Sequence, residues 1–404
     1  MSDNLILVGD IGGTNTRLKL YKVKATDSTE GGKVPGELIK HVEYENEKFK
    51  KFDDVVKTFL AAEPKTTTAP AAGCLAVAGP VEENCVNFTN RDWKISGAGL
   101  QKTFGIQRMR LINDFVANGY GLLTLDHNKE CVCLQSAPKQ EGAPIACVGA
   151  GTGLGETFMT AAEPGAPYEC FPSEGGHAEF APRNDLEMEL LNFLKKKFAQ
   201  KNRVSVERVI SGPGLANVYE FLAAKFPAEV NKAVHAEFEA ATDLKGKVVA
   251  MHSKKGDSPY CSLCDRAMGI FLAAYGSECG VACLKWIPFG GMYVAGGLTP
   301  KNINRLTEPN SPFMEAFYDK GRLSPLLKRI PLYAVLVEDI GQRGAHLVAC
   351  KQLQLVRSGG SSGGSTKPAL KLGGAAEAGV PMAYATVAAL CAGAFAIGLA
   401  FARR

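Results

Sequence analysis

The chain has 404 residues, of which 46 are basic and 41 acidic, for a formal net charge of +5. That length holds more than one packed core. The near balance of charge, with no basic run, excludes the electrostatic footprint of a nucleic-acid binder.

The twelve cysteines are scattered through apolar segments. Cys261 and Cys264 form a lone CxxC, and Cys131 and Cys133 a CxC. A zinc site needs a second such pair or histidines, so all twelve read as reduced thiols of a cytosolic protein. The first strand starts almost at residue 1, which leaves no room for a targeting peptide.

Residues 5–21, LILVGDIGGTNTRLKLY, organise the N-terminal part. Two apolar, β-prone runs flank a turn built from Asp10, Gly12, Gly13, Thr14 and Asn15, which predicts a β-hairpin with a glycine tip. Without Cβ atoms, Gly12 and Gly13 let an anion approach the backbone, and N–H groups around the tip form an anion nest. An acid such as Asp10 tolerates a polyphosphate there only through a divalent cation. The plain alternative is a tight turn whose Asp10 satisfies local N–H groups.

Residues 73–78 predict a buried strand closed by a Gly79–Pro80 turn. Residues 110–118, RLINDFVAN, predict a short strand ending at Asn113 and Asp114. A carboxylate at the carboxyl end of an α/β strand sits where such sheets place ligands. The competing role for Asp114 is a helix N-cap. Residues 145–156, IACVGAGTGLGE, carry a second glycine-rich phosphate turn with Gly149, Gly151, Gly153, Gly155 and the hydroxyl of Thr152. Two such turns, each after an apolar strand, suggest a duplicated architecture closing on one nucleotide from two sides.

Glu174 and His177 follow in SEGGH, and Glu207 in ERVISGPGL. Carboxylates, a histidine and an amide such as Asn113 are the groups that clamp a polyol. The alternatives are a core histidine and a first-turn helix glutamate. Residues 185–201, 211–225 and 259–286 read as helices, the last apolar and holding Cys261, Cys264, Cys279 and Cys283 as buried small residues. Residues 292–302 read as a strand entering a Gly296–Gly297 turn, which can let adenine and ribose lie against the backbone from Gly297 to Asn302; the alternative is a plain strand–helix turn.

The ordered set GDIGGTNTR, INDF, GAGTGLG, SEGGH, ERVISGPGL and AGGLTP closely resembles the bacterial-type, ATP-dependent glucokinases, over about residues 4–353. These belong with the sugar kinases, actin and the heat-shock ATPases. The related repressor and sugar-kinase (ROK) family shares the first turn and the ExGH, but usually adds a cysteine-rich zinc motif that is missing between Cys170 and Cys261. Residues 24–37 read as an insertion without a site.

The resemblance implies a two-lobed, actin-like ATPase (ribonuclease H-like) α/β fold with a central cleft. A small lobe would cover residues 1–121, with a return near 341–353, and a large lobe residues 122–328. It also implies transfer of the ATP γ-phosphate to the 6-hydroxyl of glucose at the entry of glycolysis. Asp114 would be the base. Asn113, Asp114, Glu174, His177 and Glu207 would hold the sugar. Gly9, Asp10, Gly12, Gly13, Thr14, Gly151, Thr152, Gly153 and Gly297 would hold ATP, and Asp10 would act on Mg²⁺ through water. A kinase for another hexose and a non-catalytic sugar sensor remain the alternatives.

Beyond residue 353 the composition changes. Residues 354–379 predict a flexible linker around SGGSSGGS. Residues 380–402 are free of charge and precede Arg403–Arg404. As a helix at about 1.5 Å per residue they span about 34 Å, enough for a hydrocarbon core of about 30 Å. This predicts a tail anchor holding a cytosolic catalytic domain on a mitochondrial or plastid outer membrane. A disordered tail or surface helix is the alternative. Ala388, Ala392, Ala396 and Ala400 share one helix face, a spacing that allows spans to pair as a homodimer, the favoured alternative being a plain lipid-facing helix.

Overall fold

The structure is a computed structural model and describes residues 3–29, 32–64, 68–88 and 91–359. Strands β1 (Asn4–Ile11), β2 (Asn15–Val23), β3 (Glu37–Glu45), β4 (Ala72–Val77) and β7 (Arg108–Asn113) build the first sheet, in the order β3-β2-β1-β4-β7. A small ribbon, β5 (Cys85–Asn87) with β6 (Lys94–Ser96), stands apart from it. β1, β4 and β7 run parallel, with Ile11 beside Val77 and Val77 beside Asn113. Their carboxyl ends are therefore level. β2 and β3 are antiparallel additions on the other side of β1.

The second sheet contains β8 (Cys131–Gln135), β9 (Ile145–Ala150), β10 (Leu154–Thr160), β11 (Glu169–Ser173), β12 (Gly291–Ala295) and β13 (Leu332–Val335), ordered β11-β10-β9-β12-β13-β8. β9, β12 and β13 are parallel, and β10 and β11 fold back from β9 as antiparallel neighbours. This repeats the first sheet: a three-strand meander whose leading strand starts a parallel trio. β8 is the extra edge strand. β13 belongs to this sheet, so its chain passes the expected large-lobe end at residue 328.

Alternation along β1 explains its burial on both faces. Leu7 and Ile11 join Leu18, Leu20, Phe52, Val55, Phe59 and Leu100, a core covered by α1 (Phe52–Ala61) and α2 (Gly97–Phe104). Ile6 and Val8 join Ala72, Cys74, Ala76, Ala345, Val348 and Ala349, a core covered by the helix Ile340–Arg357. That helix extends the expected return segment at both ends. It also takes residues 354–357 out of the expected linker. Arg357 fastens its end by donating to Asn4 Oδ1, Val23 O and Lys24 O at 3.0–3.1 Å.

The helix Ser262–Trp286 is long and apolar enough to cross a membrane, yet it is the central helix of the second core. It is buried around most of its circumference, as an all-round apolar helix in a core must be. Cys261, Cys264, Cys279 and Cys283 are buried with it. Among the described residues no group of three or more His, Cys, Asp or Glu is placed to hold a metal. The expected anchor at residues 380–402 and the linker from residue 360 onward lie outside the described residues.

Helix α3 (Asp114–Leu122) joins the two sheets. Its Ala117 and Gly121 face the helix Ile340–Arg357, where a Cβ on Gly121 would strike the backbone of Ile340 and one on Gly344 that of Ala117. Phe115 and Gly119, one turn apart, face the second sheet instead. α3 is thus a two-sided wedge that starts at Asp114.

Candidate active site

The first hairpin forms as its glycine tip predicts. Gly12 N–H donates to Asn15 O at 2.9 Å, and Gly13 and Thr14 are exposed at the tip. Neither Gly12 nor Gly13 has positive φ. A Cβ on Gly12 would meet only Asn15 O at 3.5 Å, and one on Gly13 nothing within 4 Å. These glycines therefore keep space open outside the turn and do not serve a left-handed backbone. Asn46 pins the turn from behind, donating from Nδ2 to Gly12 O at 2.8 Å and Gly13 O at 3.2 Å. Thr16 Oγ1 donates to Asn46 Oδ1 at 2.7 Å and holds that amide in place.

Gly9 is buried within β1, and a Cβ there would lie 2.6 Å from Leu75 Cδ2 and 2.9 Å from Leu18 Cδ2, so glycine at this position makes room for the core.

Asp10 lies opposite Arg17 in the hairpin register, and Arg17 Nη1 reaches Asp10 Oδ2 at 3.4 Å. Arg17 also pairs with Glu43 at 3.0 Å. Burial raises the Asp10 pKa, while Arg17 opposes the shift. Directly opposite residues on an antiparallel pair are close enough for such ion pairs.

At the end of β7, Asn113 is the helix N-cap, not Asp114. Its Oδ1 accepts from Phe115 N at 2.8 Å and Val116 N at 3.2 Å, and its Nδ2 donates to Gly79 O at 3.1 Å. Asp114 Oδ1 also accepts from Phe115 N, at 2.8 Å. Capping thus falls largely to Asn113. Its pKa is pushed up to about 6, first by burial, with the charges of Asp10 and Glu174 adding to the shift. Asp114 thus feels the charges of Asp10, from the first sheet, and of Glu174, which follows the second sheet's β11.

The second turn, Gly151–Gly153, is closed by Gly151 N–H donating to Gly153 O at 2.8 Å. A Cβ on Gly151 would meet nothing within 4 Å, and Thr152 is exposed. Gly149 and Gly155, read from sequence as part of the phosphate turn, instead face the Phe115 ring.

Glu207 Oε2 accepts from Leu154 N at 3.0 Å, and a Cβ on Gly153 would lie 2.7 Å from the same oxygen. One Glu207 oxygen therefore braces the second turn. Glu174 and His177 are exposed across one 3-10 turn, with Nε2 and Oε2 3.9 Å apart. At the end of β12, Gly296 has φ +81° and lies against Ala150 O, while Gly297 opens the short helix Leu298–Lys301.

Arg17, Asn46, Phe115 and Glu156 were not singled out from sequence. The register of the first hairpin predicts Arg17, since a turn over residues 12–15 puts residue 17 opposite residue 10. Asn46 carries no local signal. Glu156 is buried behind the SEGGH turn, where a Cβ on Gly175 would strike its carboxyl group, and neither of its oxygens has a hydrogen-bond donor. Burial and the neighbouring Glu278 carboxyl both raise its pKa.

Two copies of one sheet pattern, each with a glycine hairpin after its leading strand, match the mixed α/β fold of the sugar kinases. The Glucokinase family model matches residues 7–352. The glucokinase of Synechocystis sp. is 39% identical over 85% of this chain and 98% of its own. That of Cronobacter sakazakii is 33% identical over 84% of this chain and 95% of its own. Among solved structures, the glucokinase from an Antarctic psychrotroph superposes with a TM-score of 0.68 at 30% identity, covering 86% of this chain and 99% of that one. A ROK family glucokinase from Streptomyces griseus, in complex with glucose and AMPPNP, shares the fold at a TM-score of 0.55 and 18% identity, covering 86% of this chain and 99% of that one. The chain belongs to the glucokinase family.

Proposed function

We propose that the protein transfers the γ-phosphate of ATP to the 6-hydroxyl of glucose, with Asp114 as the base. The carrying observation is the buried Asp114 carboxyl at the level ends of the parallel strands, with a pKa near 6. Near neutral pH it is mostly ionised and still basic enough to take the hydroxyl proton as the oxygen attacks phosphorus. The new O–P bond forms, the bond to the ADP leaving oxygen breaks, and the proton passes from Asp114 to solvent.

Phosphoryl transfer depends mainly on positioning and charge stabilisation. Gly12, Gly13, Thr14, Gly151, Thr152 and Gly153 hold the phosphates on open backbone from two hairpins. Gly297 lies beside the nucleoside. Asn113, Glu174, His177 and Glu207 orient the sugar. The donor set suits Mg²⁺, which favours one or two carboxylates together with phosphates and water over an all-protein cage. Asp10 would hold it through water, and when bound it neutralises charge on the phosphates.

A coupled assay across hexoses with ATP tests this reading. Turnover highest with glucose is the expected result. Turnover highest with mannose or fructose would reassign the substrate, and sugar binding without any turnover would make the protein a sensor.

Residues 380–402 support a second, independent proposal: a tail anchor that leaves the kinase lobes in the cytosol at an organelle outer membrane. Its support is the charge-free stretch, beyond the family match that ends at residue 352. Fractionation of the full chain against one ending at Arg357 checks it. The full chain should resist carbonate extraction, and solubility of both forms would refute the anchor. A dimer seen by light scattering only for the detergent-extracted full chain would support pairing through the alanine face.

A further inference from the structure

Phe115 follows Asp114 in α3, directly after the first sheet's last strand, yet its ring packs on the second sheet. Gly149 and Gly155 are cross-strand partners in the β9–β10 hairpin. A Cβ on Gly155 would fall within the Phe115 ring, and one on Gly149 would lie 2.6 Å from Phe115 Cζ. Two glycines opposite each other thus cut a notch in the sheet, and the ring fills it. The ring also packs against the cluster of Cys147, Met159, Tyr293 and Ala295.

We propose that Phe115 is a positioning residue: its ring, keyed into the Gly149–Gly155 notch, fixes the distance between Asp114 and the second glycine turn. The two sequence neighbours have divided roles. Asp114 acts on the reacting hydroxyl, and Phe115 anchors that acid to the hairpin whose tip, Gly151–Gly153, faces the phosphates. Hydrogen bonds from Asn113 tie the same backbone to the first sheet through Gly79. The start of α3 is therefore fastened to both sheets within three residues. A misplacement of about 1 Å can cost about a hundredfold in rate without loss of binding. Glycine at position 155 is thus set by the ring above it and not by phosphate access.

This inference rests on Asp114 being the base, so Asp114→Asn is run beside it. Steady-state kcat and both KM values are measured for Phe115→Leu, Phe115→Ala, Gly155→Ala and the Phe115→Ala/Gly155→Ala pair. Phe115→Ala and Gly155→Ala should each lower kcat at least tenfold, with KM for glucose and ATP within threefold of the parent. Phe115→Leu, which keeps most of the ring's volume, should recover most of kcat. In the double variant the added methyl no longer meets a ring, so its kcat should match Phe115→Ala within twofold. Losses that multiply in the double variant would overturn the keyed arrangement. So would a kcat for Phe115→Ala within threefold of the parent, or losses confined to KM. If Phe115→Ala does not fold, Phe115→Leu and Gly155→Ala together decide: kcat kept by the first and lost by the second supports the notch, and any other pattern refutes it. Turnover retained by Asp114→Asn would sink the base assignment, whereas its loss beside an unaffected Phe115→Ala would sink only the positioning role.

Discussion

Replacing Asp114 by Asn should make the enzyme slower and the fold more stable, and both effects come from one buried charge. Burial raises the Asp114 pKa from 3.8 to about 6. At 1.36 kcal/mol per unit, the ionised carboxylate costs the fold up to about 3 kcal/mol. The folded state holds the proton more tightly than the unfolded chain, so this cost is absent below the unfolded pKa, grows as pH rises, and is complete above about pH 6. Asn has no charge to desolvate and keeps an oxygen to accept from Phe115 N–H.

The variant should therefore exceed the parent in stability by up to about 3 kcal/mol at pH 8, by about half that at pH 5, and by almost nothing near pH 3.8. Turnover should fall by about two to four orders of magnitude with glucose binding nearly intact. Parent kcat/KM should show an acid limb near pH 6. Denaturant melts of both proteins at pH 5 and 8, with a coupled assay at pH 8, measure all of this. A stability gain that does not change with pH would refute the buried-charge account. Turnover within a few-fold of the parent would remove Asp114 as the base.

Gly12→Val should raise the KM for ATP and spare glucose binding and the melting temperature, because its Cβ has room in the fold. Gly9→Val, crowded by Leu75 and Leu18, should instead destabilise by about 1–3 kcal/mol, and the reverse pattern in a melt would exchange the two roles. Glu156→Gln should match the parent in stability below about pH 4.5 and exceed it by a growing margin as pH rises to about 8, with most of that gain already present near neutral pH. It should abolish part of the parent's loss of melting temperature over that range, since a carboxyl with a raised pKa destabilises the fold increasingly as pH rises from its unfolded to its folded pKa; parallel curves for the two proteins would argue against it. Ending the chain at Leu353 should lower the melting temperature relative to ending it at Arg357, because only the longer chain keeps the hydrogen bonds to Asn4, Val23 and Lys24. Equal melting temperatures would show that this clasp contributes nothing.

The local features of this protein were legible in its sequence. Alternating apolar runs around small turn residues specify the two glycine hairpins, because side-chain period and glycine's missing Cβ act within a few residues. The apolar run at residues 259–286 specified a helix, and the charge at Asp114 stood out at the end of a strand. What each glycine is for was decided only by tertiary packing. Gly12, Gly13 and Gly151 face open space, Gly9 faces Leu75, and Gly149 and Gly155 face Phe115. All six look alike in sequence, since a missing side chain says nothing about what occupies its place. The capping of α3 by Asn113, the bracing of the second turn by Glu207 and the pinning of the first by Asn46 likewise join residues far apart in the chain or compete between neighbours. Their outcome depends on which groups the folded sheets bring within about 3 Å, the reach of a hydrogen bond, and no pattern along the chain encodes that distance.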